Sequence, residues 1–239
     1  DYESLGINIS LARESDDRLS TLTGSIGWID DTIYRSDTGG TPEPLANVQQ
    51  PRPFSKGERK TLDALLGISR VLNRLTVVQL NLSLSASDGY HSDPYKIISA
   101  ADANERIIAN FHDSRPDSRL RGSLFGKLVH QLRDTLHSVH LSYRLYQDDW
   151  GISSHTADLR YRHRLNRQQY LEPHVRLYRQ SAADFYQRSL SVDAGSNPVM
   201  PEDSLVSADY RLDALSSTTL GLKYGIRLSP DSELRLRAE

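Results

Sequence analysis

Apolar residues occupy every second position along most of the chain. The clearest case is the segment 78–85, in which valine and leucine at the even positions alternate with glutamine, asparagine and serine at the odd ones. Successive side chains of a β-strand point to opposite faces, so this spacing gives each strand one apolar and one polar face. Segments of this kind, each about ten residues long, recur ten or eleven times, and no helix-period segment separates them. The pattern predicts an all-β fold.

The connections between these segments differ in length. Short polar turns are predicted at 13–18, 73–74, 130–134, 147–154 and 165–169. Long loops are predicted at 30–58, 87–117 and 182–204. Alternation of short and long connections is typical of a membrane β-barrel, which has tight turns at one rim and long loops at the other. A short strand-like segment at 208–214 breaks the alternation unless it belongs to the outer loop.

The two faces of the strands differ in a way that favours a transmembrane barrel over a soluble sandwich. One face carries almost no charge in mid-strand, as contact with lipid requires, because an arginine or lysine at the bilayer centre costs about 2–4 kcal/mol. The predicted lipid-facing residues are Leu80, Leu82, Leu84, Leu120, Leu124, Leu141, Leu159, Leu177, Leu220 and Leu222. The polar residues of the other face are predicted to line a lumen: Arg119, Arg121, His140, Arg144, Tyr146, Asp148, Asp158, Arg160, Arg162, Glu172, His174, Arg176 and Tyr178.

Composition supports a crowded polar interior and excludes several other classes of protein. Of 29 basic residues only five are lysines and 24 are arginines, whose planar guanidinium groups suit dense ion-pair networks. The net charge of −2 gives no basic bias, so no nucleic-acid partner is expected. The chain has no cysteine, which excludes a disulfide scaffold and any thiolate metal or redox site.

Each candidate site on the polar face has a plainer explanation beside it. The arginines and acids are either a charge-selective pore lining or ion pairs that fill a small barrel. His140 and His174 share the lumen face, whereas His137, His155 and His163 fall on the lipid side or at the rims, so no metal site is expected. The segments 93–96 and 147–155 are either ligand-recognition loops or plain turns. The second interpretation is favoured: Gly151 sets the turn geometry and Trp150 lies at the membrane interface. Pro94 is expected to set a second turn.

The sequence contains no pattern that predicts an enzyme or a cofactor. Ser154, His155 and Asp158 lie too close along one strand to form a catalytic triad, and no nucleophile-elbow or glycine-rich phosphate motif occurs. We therefore expect no catalytic residues and no cofactor.

Five stretches resemble a known bacterial family: GYHSDPYK (89–96), RPDSRLRGSLFGKL (115–128), SYRLYQDDWGISSHTADLRYRHRL (142–165), LEPHVRLYRQSAADFY (171–186) and SADYRLDALSSTTLGLKYG (207–225). The family consists of outer-membrane β-barrels catalogued only as a domain of unknown function, and its genes often lie beside one for an FAD:protein FMN transferase. The resemblance covers nearly the whole chain. It implies an outer-membrane location and a full-length barrel of twelve to sixteen strands, but it implies no activity.

The sequence thus predicts one outer-membrane β-barrel domain over residues 1–239, truncated at both ends. The expected function is that of a porin-like channel whose partner is the lipid bilayer of the outer membrane. A first alternative is a barrel scaffold that houses a periplasmic or surface redox or metal-handling partner, such as a flavinylated protein. A second is a soluble β-sandwich that binds a ligand.

Overall fold

A computed structural model of the chain describes residues 2–34, 56–93, 95–133, 137–192 and 204–239. Ten long strands form one antiparallel sheet: β1 (Tyr2–Glu14), β2 (Ser20–Tyr34), β3 (Lys56–Asn73), β4 (Thr76–Gly89), β7 (Ser118–Gln131), β8 (Ser138–Asp148), β9 (Ser153–Arg164), β10 (Gln169–Gln180), β12 (Leu215–Ser229) and β13 (Ser232–Ala238). The prediction of an all-β antiparallel fold is confirmed. Among the described residues no helix is long and apolar enough to cross a membrane.

The ten strands follow one another in space in the order in which they occur along the chain. Strands β1 and β13 are the two edges of the sheet, and the described parts of the chain do not join them. The turns after β1, β3, β7, β9 and β12 lie at one end of the sheet, here called the turn rim. The connections after β2, β4, β8 and β10 lie at the opposite end, the loop rim.

A second, smaller sheet forms from the long connections of the loop rim. It contains β5 (Ile97–Ala101), β6 (Ile107–His112) and β11 (Leu190–Ser191), in the order β11-β5-β6. A short 3-10 helix, Tyr210–Leu212, precedes β12. We call the described loop-rim segments 90–93, 95–117, 149–152, 181–192 and 204–214 together the cap.

The apolar cores of the described residues lie in the cap and not across the large sheet. One core contains Ile98, Ala100, Ala109, Phe111 and Val206, all with less than 5% of their surface exposed. A second core joins the β8–β9 turn to the chain beyond β10 and contains Trp150, Ile152, Ala183, Phe185 and Leu212. The small sheet therefore buries one set of its apolar side chains within the cap, whereas Ile107 and Ile108 of β6 stay exposed, and it supplies no second layer for a sandwich.

Three loop predictions need correction. The predicted loop 87–117 contains β5 and β6, because its short apolar runs bury each other in the cap although turn-forming residues surround them. Residues 31–34 and 56–58 extend β2 and β3 into the predicted loop 30–58, of which residues 35–55 lie outside the described chain. The segment 208–214 is not a strand of the sheet: it belongs to the loop-rim connection, as the alternation of turn lengths requires.

Candidate functional site

The outer face of the large sheet is apolar and open. All ten leucines predicted to face lipid have between 44% and 67% of their surface exposed. They lie in adjacent rows across the strands: Leu82, for example, pairs with Leu66 of β3 and with Leu124 of β7. Each strand repeats this arrangement, so the leucines form a continuous surface. That lipid covers this surface stays a prediction.

Charged residues mark the two borders of this apolar surface. At the loop rim Asp30, Lys60 and Asp88 lie side by side in register on β2, β3 and β4. At the turn rim Arg70 ends the outer face of β3. The ten steps along the strand from Lys60 to Arg70 span about 34 Å, and the outward positions between these two residues carry only leucine, alanine and isoleucine. The outer face thus has a charge-free band between two polar borders.

The inner face carries a network of ion pairs toward the turn rim. Glu172 is buried, and its carboxylate accepts hydrogen bonds from Arg162 at 2.7 Å and Lys223 at 2.5 Å. Asp158 pairs with Arg160 at 3.1 Å and with His174 at 2.7 Å. These contacts join β9, β10 and β12 across the interior, which explains why so many charged groups lie on one face of a sheet.

The two histidines predicted to face the lumen lie in one row of the inner face but are not adjacent. Arg160 of β9 pairs in register with His140 of β8 and with His174 of β10, so it stands between them. Two strand spacings separate the histidines by about 10 Å, and a cation between them opposes the binding of a metal ion. Among the described residues no group of three potential ligands converges. His137 and His163, predicted at a rim, stack on each other at 4.3 Å beside the β7–β8 turn.

Asp148 organises the loop-rim end of the inner face. Its Oδ2 atom accepts from the Arg119 guanidinium at 2.5 Å and from the Tyr146 hydroxyl at 2.8 Å. Its Oδ1 atom accepts from the backbone N–H groups of Trp150 at 3.1 Å and Ile152 at 2.9 Å, which fixes the β8–β9 turn. The charge of Asp148 is therefore fully engaged in structure.

The expectation that Trp150 anchors the chain at a membrane interface is wrong. Trp150 is only 3% exposed, because its indole packs in the cap against Phe185 at 5.2 Å and beneath the guanidinium of Arg119 at 4.1 Å. Its ring N–H donates to the backbone carbonyl of Ser118 at 2.8 Å. The prediction that Gly151 sets the turn is confirmed by its φ of 83°. Pro94 lies outside the described residues.

A buried cluster of charges in the cap was not predicted from the sequence. Asp209 accepts from Arg115 at 3.1 Å and from Arg211, and Arg115 also pairs with Asp113 at 2.7 Å. Ser207 donates to Asp113 at 2.9 Å. Burial alone raises the pKa of Asp209, but the hydrogen bonds from Arg211 outweigh it and lower the pKa to about 2. Burial raises the pKa of Asp113, and Arg115 opposes that effect only in part.

A cavity of about 670 Å³ lies between the inner face of the sheet and the cap. Five arginines line it: Arg115, Arg119, Arg144, Arg176 and Arg211. Of the predicted lumen residues Tyr146, Asp158 and Tyr178 also line it, whereas Arg121 does not and donates to Ser85 at 2.8 Å. Arg115, Asp209 and Arg211 were missed because Arg115 falls in the predicted loop 87–117 and the other two fall in the short strand-like segment 208–214, to which no face was assigned. Their density of charge was the signal that could have placed them beside the predicted lumen.

Comparison with known proteins gives a family but no activity. The family model described as "Protein of unknown function (DUF3570)" matches residues 1–239. No curated protein matches the sequence. Among solved structures, the chain is similar to the translocator domain of the autotransporter NalP from Neisseria meningitidis, with 10% sequence identity and a TM-score of 0.36. That alignment covers 99% of this chain and 72% of the other.

Proposed function

Because the chain belongs to the family of proteins of unknown function DUF3570, we propose its function from the structure alone. We propose that the ten-stranded sheet is part of a β-barrel in the bacterial outer membrane, and that its polar interior admits small solutes. The strands span the bilayer, the leucine-bearing face contacts lipid and the cap covers one mouth of the lumen.

The observation that carries this proposal is that the sheet exposes its apolar face and buries charged residues of its polar face. In a water-soluble protein a sheet buries its leucines and exposes its charges. Here the leucines of the outer face are exposed, while Glu172, Asp148 and His174 of the inner face are at least 90% buried. Ion pairs that fill a polar interior and an apolar band outside it are the arrangement of a transmembrane barrel. The charged row Asp30, Lys60 and Asp88 supports a membrane border at the loop rim.

Contact with lipid can be tested residue by residue, because the chain has no cysteine of its own. Single cysteines are placed at Leu82, Leu141 and Leu159 of the full-length protein, and at the neighbouring positions Ser83, Ser142 and Asp158 as matched controls. Each is labelled with a fluorophore and reconstituted in vesicles of brominated phosphatidylcholine. We expect strong quenching at the three leucine positions and weak quenching at the three controls. Equal quenching along both faces would show that the sheet does not divide lipid from water.

Passage of solutes requires a separate measurement in planar bilayers. An ohmic current that scales with salt concentration supports the channel. The second candidate, a barrel that houses a periplasmic or flavinylated partner, predicts no current together with a partner that co-purifies from the native membrane. The buried charge cluster stabilises the cap. A cap that closes the mouth of the barrel favours this second candidate, because it would prevent a current. A variant lacking residues 97–112, most of the small sheet, separates the two: restored current identifies a channel closed by its cap.

A further inference from the structure

The cavity between the sheet and the cap has an uncompensated positive charge. Three of its five arginines have carboxylate partners: Arg119 pairs with Asp148, and Arg115 and Arg211 share Asp209. Arg144 and Arg176 have no carboxylate within ion-pair distance among the residues that the structure describes. The guanidinium of Arg144 only approaches the ring of Phe125, at 5.4 Å. Two arginines without a carboxylate partner that line one half-open cavity attract anions.

The acids of the cavity do not cancel these two charges. Asp158 lies in register with Arg176, yet its carboxylate is held by Arg160 at 3.1 Å and by His174 at 2.7 Å. Asp209 is 2% exposed and is held by Arg115 and Arg211. Both acids are therefore occupied within the protein, and their charges are balanced by their own partners.

The two free arginines are positioned to bind one solute together. Arg144 lies on β8 and Arg176 on β10, with Thr156 of β9 in register beside Arg144. One strand separates them, and they are offset by two residues along the strands, so their backbones are about 12 Å apart. Both side chains line the same cavity. The hydroxyl groups of Ser142 and Thr156 line the same space and can donate neutral hydrogen bonds.

We propose that this cavity is a binding site for a small solute that carries two or more carboxylate or phosphate groups. Arginine recognises such groups with two parallel hydrogen bonds, which a chloride ion cannot accept in the same way. A volume of about 670 Å³ fits a small organic anion, since ligand sites commonly measure about 300–1,000 Å³. The site rests on the proposed function in one respect, namely that the interior is wet, and it adds a solute class to that function.

Binding is tested by calorimetry on the full-length protein in detergent, with pyrophosphate as the phosphate probe and citrate as the carboxylate probe. The double variant R144Q/R176Q removes both free charges and breaks no ion pair, so its fold is expected to persist. We expect it to weaken binding by about tenfold per arginine. R144K/R176K, which keeps the charge and loses the planar fork, should lie in between. R179Q is the matched control, because Arg179 is three residues from Arg176 on the opposite face of β10.

The results separate this site from the proposed channel. Binding of either probe that is lost in R144Q/R176Q and kept in R179Q supports the site, and the preferred probe tells phosphate from carboxylate. Absence of binding to the unaltered protein, or equal binding by R144Q/R176Q, overturns it. A current in planar bilayers that neither probe blocks supports the proposed channel and contradicts the proposed binding site. Binding of a probe without any current supports the proposed binding site and contradicts the proposed channel.

Discussion

At the scale of single residues, Asp209 is the acid on which the cap depends most. It is buried and accepts hydrogen bonds from two arginines, so Asp209→Asn leaves both guanidinium groups with too few acceptors. We expect a loss of about 3 kcal/mol of cap stability. Asp113→Asn should cost only about 1 kcal/mol, because burial already raises the pKa of Asp113 and Arg115 keeps Asp209 as partner. Trp150 fluorescence during urea titration measures both losses of cap stability. Asp231→Asn, in the β12–β13 turn, is the control.

The same carboxylate should make the stability of the cap depend on pH in the acid range. The pKa of Asp209 is about 2 in the folded protein and about 3.9 in an unfolded chain. A lowered pKa contributes stability that is complete above the unfolded value and is lost as the pH falls through the folded value. We therefore expect the Trp150 signal to report weakening of the cap between about pH 4 and pH 2. Asp113 acts in the opposite sense, and an unchanged acid profile in Asp209→Asn would contradict this assignment.

Gly151 is a second residue whose replacement should affect the cap alone. Its φ of 83° disfavours any other residue, and an added Cβ would lie 2.2 Å from a carboxylate oxygen of Asp184. We expect Gly151→Ala to destabilise the β8–β9 turn by about 1–2 kcal/mol or more. The control is Gly126→Ala on β7, where an added Cβ meets nothing within 4 Å. The midpoint of urea unfolding, followed at Trp150, should fall in the first variant and stay in the second.

At the scale of the strand, the free-energy cost of introducing a charged side chain should alternate from one position to the next. Leu82→Arg puts a guanidinium at the centre of the charge-free band and should cost about 2–4 kcal/mol in vesicles. Ser83→Arg, one residue further along β4, points inward and loses mainly the 2.7 Å hydrogen bond to Ser123. Folding yield in phosphatidylcholine vesicles is the measurement. Equal yields for the two variants would mean that the outer face is not in lipid.

The strands could be predicted from sequence because their signal is local. The period of two in segments such as 78–85 identifies each strand and assigns every residue to a face, and the cross-strand register then brings Arg162 to Glu172. The cap could not be predicted in this way. Its strands β5 and β6 are five and six residues long, and their partners, β11 and Val206, lie about 90 residues away in sequence. Long-range contacts between short segments leave no periodic pattern.

The burial of Trp150 illustrates the same limit within the site. A tryptophan beside a turn at the end of a strand is typical of a membrane interface. Its true surroundings are Phe185 and the Arg119 guanidinium, which neither spacing nor parity could reveal. Likewise, parity placed Arg144 and Arg176 on the inner face but could not show that, among the described residues, they are the two cavity arginines without a carboxylate partner.

At the scale of the whole molecule, the sheet and the cap should lose structure separately. The sheet is joined by continuous strand pairing, whereas the part of the cap that the structure describes is held by two small apolar cores. The chain has two tryptophans, and each belongs to one part: Trp28 to β2 and Trp150 to the cap. We expect the variant Trp28→Phe to report an early transition in urea and Trp150→Phe a later one. One coincident transition would show that the two parts unfold as a unit.

The order of the ten strands in the sheet has a consequence for how such proteins diverge. Every strand is hydrogen-bonded to the next long strand along the chain, and the small sheet is inserted between them without taking part in the pairing. Lengthening, exchanging or deleting an insertion therefore leaves the register of the wall intact. The insertions can therefore change in length and sequence while the ten-stranded framework is kept, so relatives should differ most in the insertions.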